Sequence, residues 1–146
     1  MIEEFVKVYD RDLERLKQEI SAFNLDSNIW KTAGHVKNSS GNLSLHLIGN
    51  LNNYIGKNMG NYAYIRDRDA EFNLKNVPKS HLIHQIEEVK EKVISTLKKM
   101  DNGMLDQDHV EKVFGHTMTN GYFLIHLAGH LSYHLGQINY LRRVLE

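Results

Sequence analysis

The chain has no cysteine. Disulfides and thiolate metal ligands are therefore excluded, and any metal must be held by histidine, carboxylate, amide or water. There is a single proline, Pro78, and no run of alternating polar and apolar residues, so helical spacing dominates. Neither sign of charge is in excess, with 18 Lys and Arg against 18 Asp and Glu. Without a basic stripe, electrostatic capture of nucleic acid is not expected. The longest uncharged stretch is interrupted by His, Asn, Gln and Gly, unlike a lipid-facing span. The first twenty residues are charged and amphipathic, unlike a secretory signal. These absences predict a soluble, cytoplasmic protein. Its 146 residues suit one domain with one core.

Spacing predicts four long helices. The first covers Ile2 to about Phe23, with Phe5, Val8, Leu13, Leu16 and Ile20 on its buried face. The second starts at Ser39 or Ser40, good N-cap types, and runs to about Met59. A gap of roughly twenty residues follows, long for an up-down bundle, and is expected to cross one end of the molecule. The third helix runs from an N-cap at Ser80 to about Met100, with Gly103 suited to a left-handed C-cap. Leu105 to Gly115 fits either a helical turn or an extended segment. The fourth helix runs from about Thr119 to Val144. The expectation is an all-α four-helix bundle with a long crossover between its second and third helices.

The fourth helix carries His126, His130 and His134 at four-residue intervals, in a stretch without Asp, Glu, Lys or Arg from Val113 to Leu141. At about 100° per residue, His134 falls in the middle of the apolar stripe, His130 about 40° aside and His126 about 80° away. His130 and His134 should therefore face inward, with His126 only flanking them. A lone inward histidine is usually a hydrogen-bonded core residue. Two on one turn both need partners for a donor and an acceptor, which a shared metal would supply. Bundle sites draw ligands from facing helices, and the only imidazole of the second helix is His46, beside Asn42, Gly49, Asn50 and Asn53. His81 and His84 lie in a charged helix, and His35, His109 and His116 in expected loops. These five are taken as solvated or capping.

The stretches Asn42-Leu-Ser-Leu-His46-Leu-Ile-Gly-Asn50 and His130-Leu-Ser-Tyr-His134-Leu-Gly-Gln-Ile138 resemble those of the DinB-like superfamily of metal-binding four-helix proteins. The resemblance implies a three-histidine site at His46, His130 and His134 for a divalent metal, Zn or Ni, with positions open to water or substrate. It also implies either hydrolysis or thiol S-transfer, some relatives using bacillithiol or mycothiol, so that the partner is a small molecule such as a low-molecular-weight thiol. The alternative is a non-catalytic metal-binding stress or structural protein.

No general base is evident. His126 is the nearest candidate for a proton shuttle. Tyr54 or Tyr133 are candidates for orienting substrate, and Asp67, Asp69 and Glu71 for reaching in from the crossover, or simply for pairing with Arg66 and Arg68. On the opposite side of the last helix, Ile125, Gly129, Ser132, Gly136 and Asn139 form a small-residue face. Two glycines in a helix interior cost about 1 kcal/mol each against alanine. Close packing inside the monomer or a homodimer interface would account for them.

Overall fold

A computed structural model describes all residues, 1–146. Four long helices are present: α1 (Ile2–Ser21), α2 (Ser40–Leu51), α4 (Lys79–Lys99) and α6 (Asn120–Leu145). Two short ones, α3 (Arg68–Asn73) and α5 (Asn102–Asp106), lie in the connections. A π-helical turn, Asn52–Lys57, prolongs α2. No helix is long and apolar enough to cross a membrane.

Side-chain pairs give the helix directions. Lys17 meets Glu87 and Lys90 meets Asp10, so α1 and α4 are antiparallel. Tyr9 donates to the Leu124 carbonyl at 2.6 Å and Arg142 bonds Glu19 at 3.0 Å, so α1 and α6 run parallel. Tyr54 packs on Phe123 while His46 meets His130, so α2 opposes α6. It follows that α2 and α4 point the same way. Two parallel helices consecutive among the long ones require a return path, which is why the intervening gap is long.

That path does not cross one end of the bundle as expected. It runs back along α2: Arg66 lies over the Tyr54 ring, Glu71 reaches His46, and Asn42 donates to the carbonyls of Glu71 and Leu74. Asp67 caps α3 by accepting from the Ala70 amide. The returning segment thus places a carboxylate against the middle of α2.

Several local expectations are corrected. On α1 the buried face passes through Tyr9 rather than Val8, because the Tyr9 hydroxyl has a buried carbonyl to bond. Ser80 lies inside α4, whose N-cap is Pro78. Gly103 is not a left-handed cap; Asp101 starts α5 by accepting from the Met104 amide, and Gly103 falls within it. From Gln107 to Asn120 the chain forms a loop closed by His109 N–H to Met118 O and Asn120 N–H to Gln107 O, both 2.8 Å. Ser39 and Thr119 cap α2 and α6, accepting from the amides of Asn42 and Tyr122.

On α6 the fully buried residues are Phe123, Leu124, Leu127, Leu131 and Ile138. The helix is rolled by roughly 40° from the expected orientation, held by the bond from Tyr9 to Leu124. His134 consequently sits half-buried at the margin of the stripe instead of its middle. Gly129 and Gly136 are exposed, and a Cβ added at either would have nothing within 4 Å. Close packing inside the monomer is therefore not their reason.

Candidate metal centre

The roll of α6 brings His130 and His134 to the side facing α2, opposite His46. His130 Nε2 lies 3.2 Å from His46 Nε2 and 3.1 Å from His134 Nε2. One nitrogen from each of the three rings falls within 4.8 Å of the others. His46 is buried, while His130 and His134 are half-buried.

The outer nitrogens determine the tautomers. His46 Nδ1 donates to Glu71 Oε1 at 3.0 Å, and Arg66 donates to both oxygens of that carboxylate, at 2.9 and 3.0 Å. Burial pushes the Glu71 carboxyl up, but the bonds from His46 and Arg66 outweigh it and hold the group below the usual carboxylate range. An ionised carboxylate only accepts, so His46 Nδ1 carries a hydrogen, and in the neutral ring its Nε2 presents a lone pair. His134 Nδ1 likewise donates to Gln137 Oε1 at 2.7 Å. Two lone pairs then face His130 Nε2, which can carry at most one hydrogen. The cluster lacks protons for its acceptors, and His130 Nδ1 is buried without any partner.

Electrostatics point the same way. Burial, then the neighbouring His134, His46 and His126 rings and Arg66, push His130 down to about 4. Burial also lowers His134. These rings are neutral at physiological pH, the state in which imidazole acts as a ligand.

The packing of α2 is shaped for this arrangement. A Cβ on Gly49 would run into the Glu71 carboxylate, so glycine there leaves room for that side chain in the position that contacts His46. Phe72 packs on the His46 ring at a centroid distance of 4.9 Å. Asp67 is used as a helix cap and Asp69 is exposed, which leaves Glu71 as the one acidic residue of the crossover that reaches the centre. It both pairs with Arg66 and contacts a histidine.

His126 lies outside the convergent group. Its ring is exposed, parallel to that of His130 at 6.4 Å, and edge-on to Phe114 at 4.7 Å. Tyr133 is exposed beside His134, and Tyr54 borders the centre beneath Arg66. His35, His81, His84 and His116 are exposed, as expected. His109 is not: it is 5 % exposed, with Asn120 Oδ1 at its Nδ1 and Asn58 Nδ2 at its Nε2. Sequence reasoning missed Gln137 and the double role of Glu71. The i,i+3 spacing of Gln137 from His134 was a usable signal; nothing in sequence proximity joins Glu71 to His46.

Two hollows adjoin the centre. A mainly apolar cleft of about 690 Å³, with Val36, Leu43, Tyr133, Tyr140 and Val144 in its wall, has His134 on one side. A smaller pocket of about 180 Å³ is bordered by His46, His130, His126, Asn50, Arg66 and Arg68.

The fold of this bundle is shared with solved structures, one of which is described as a DinB-like protein. The B. subtilis protein YfiT, described as a probable metal-dependent hydrolase with an unusual four-helix bundle topology, is 17% identical with a TM-score of 0.79, over 99% of this chain and 87% of that one. A conserved protein of Enterococcus faecalis is 14% identical with a TM-score of 0.77, over 98% and 95%. A DinB-like protein of Bacillus cereus is 18% identical with a TM-score of 0.73, over 98% and 91%. Such low identities establish the shared fold and nothing finer. The chain belongs to the family described as protein of unknown function DUF1572, whose model matches residues 1–146. No curated protein matches it.

Proposed function

We propose that His46, His130 and His134 hold one divalent cation, Zn or Ni, and that the protein is a metal-dependent enzyme of hydrolysis or thiol S-transfer acting on a small molecule. The observation that carries this reading is the proton deficit: two Nε2 lone pairs converge on a third ring nitrogen that can satisfy only one of them. A cation removes that conflict. Nitrogens about 2.0–2.1 Å from a tetrahedral ion lie about 3.3 Å apart, close to the separations present.

Bound there by three neutral ligands, a divalent ion keeps its charge and supplies Lewis acidity that lowers the pKa of a water or thiol in its open position. The chain's own residues do the rest. Glu71, locked by Arg66, orients His46 and raises its basicity as a ligand. Gln137 orients His134 in the same way. The cleft beside His134 offers apolar walls to an electrophile. His126, exposed, one helical turn from His130 and at the border of the small pocket, would carry a proton between that pocket and solvent.

Metal content after loading and dialysis tests the reading. Native protein should retain about one ion per chain, and His130→Ala little or none. Equal content in both would remove the central claim. With metal established, consumption of a thiol by an electrophile, or hydrolysis of an activated ester, should require the ion. Metal-independent turnover, or none, would favour a binding protein.

The exposed side of α6 supports a homodimer. Ile125 is 59% exposed, and Gly129, Ser132 and Gly136 on the same face are exposed with it. A monomeric mass at micromolar concentration would sink this part of the proposal.

A further inference from the structure

The small pocket between α2 and α6 has a polar character that the three-histidine centre does not use. Asn50 lies one helical turn beyond His46, is 7 % exposed, and borders the pocket. Its Oδ1 is buried without a hydrogen-bond partner. An unmatched buried amide oxygen costs about 1–3 kcal/mol and needs a reason. Its Nδ2 makes no hydrogen bond either and, unlike Oδ1, is not enclosed, so the amide N–H groups are available to a ligand.

The pocket's two arginines differ. Arg66 is committed to Glu71 through two bonds, which cancels its charge locally. Arg68 makes no ion pair; its guanidinium rests over the Phe72 ring, 5.5 Å from the centroid, at the exposed rim. Nearby Asp67 and Asp69 are exposed, and Asp67 is occupied as a cap. The pocket therefore presents one uncompensated cation, one free amide and apolar walls from Val113, Phe123 and Leu127. At about 30 Å³ per water-sized unit, its volume suits a ligand of about six non-hydrogen atoms.

We propose that this pocket is a subsite for the carboxylate of a short-chain acid, held by the free Arg68 guanidinium and the Asn50 amide, with the acid's short carbon chain against Phe123 and Leu127. A guanidinium matches a planar carboxylate by paired donors. A single cation suits a monoanion better than a phosphate dianion. As a subsite of the centre it rests on the three-histidine reading. The reactants would then enter from chemically different sides: an apolar one through the cleft at His134, and a carboxylate-bearing one through the pocket at His130. Binding of the acid to the pocket itself does not depend on the metal.

Propionate and its neutral counterpart propionamide, titrated into isotope-labelled full-length protein as purified and again after zinc loading, provide the test. The side-chain amide signals of Asn50 should shift and saturate with propionate, and propionamide should bind at least about tenfold more weakly. Arg68→Gln should weaken propionate at least about tenfold with unchanged unfolding temperature, and Arg68→Lys should restore part of the loss. Equal binding of propionate by wild type and Arg68→Gln, or equal binding of acid and amide by wild type, would overturn the proposal. Zinc uptake, measured on the same samples, separates the two ideas. Normal uptake with no propionate response fells the subsite alone. A propionate response without zinc uptake fells the three-histidine reading and leaves the acid site standing.

Discussion

Histidine is buried in two regions of this molecule, and the two treat it differently. At His109 both ring nitrogens are matched, one by Asn120 and one by Asn58, and the ring packs on Phe123 at 4.5 Å. Glu111 extends the network by accepting from Asn53 and Asn58. The cluster fastens the loop before α6 to the π-helical turn after α2. At His46, His130 and His134, nitrogen faces nitrogen and the protons do not suffice. Burial of an imidazole is thus no mark of a site. Convergence of more acceptors than donors is, because a fold gains nothing by leaving buried lone pairs opposed. The first arrangement spends its polar groups on stability; the second leaves them open for the proposed cation.

The largest test exchanges the two regions. His134→Ala should lower metal affinity by at least about 100-fold with the fold intact, since a ligand and its orienting bond both go. His109→Ala should leave metal content unchanged and lower stability by about 2–4 kcal/mol, through lost packing and two stranded amides. Chelator competition and urea unfolding read the two effects. Loss of metal in both variants would abolish the distinction.

A smaller effect is expected one bond further out. Glu71→Gln keeps the shape but removes the charge that fixes His46, and should reduce metal affinity by about 10- to 100-fold. No change would mean that the carboxylate serves only Arg66.

Acid should separate the regions more gently. His130 is held at about 4, below its ordinary value of 6.5. His134 and His109 are lowered too, chiefly by burial. The unfolded chain therefore takes up protons that the fold resists. Stability of metal-free protein should be complete above 6.5 and decline as pH falls toward about 4. Urea unfolding across that range should show the decline flattened more by His130→Gln than by His109→Gln. The reverse order would place the main proton-linked strain at the loop cluster.

How much of this was legible in advance depended on distance along the chain. The cap at Ser39, one of the two serines considered, and the order of the four long helices follow from local spacing and were readable. The ranking of the three α6 histidines, with His126 outermost, was readable too, although the exact roll was not. That roll depends on Tyr9 of α1 finding the Leu124 carbonyl. Gly103 was misread because Asp101 starts a new helix where a chain reversal was expected. His109 was taken as solvated or capping because loops usually are solvated; its burial involves Asn58, 51 residues away.

By itself the sequence determined what one helix can carry. The i,i+4 pair of His130 and His134 is set by 3.6 residues per turn, whatever surrounds it. Tertiary structure alone decided that a third nitrogen, 84 residues from His130, would meet them, and that a carboxylate 25 residues beyond His46 would hold it in place. The physical reason is the return path. Two parallel helices force the chain back along α2, Gly49 leaves room for the Glu71 carboxylate, and only then does Glu71 reach the ring.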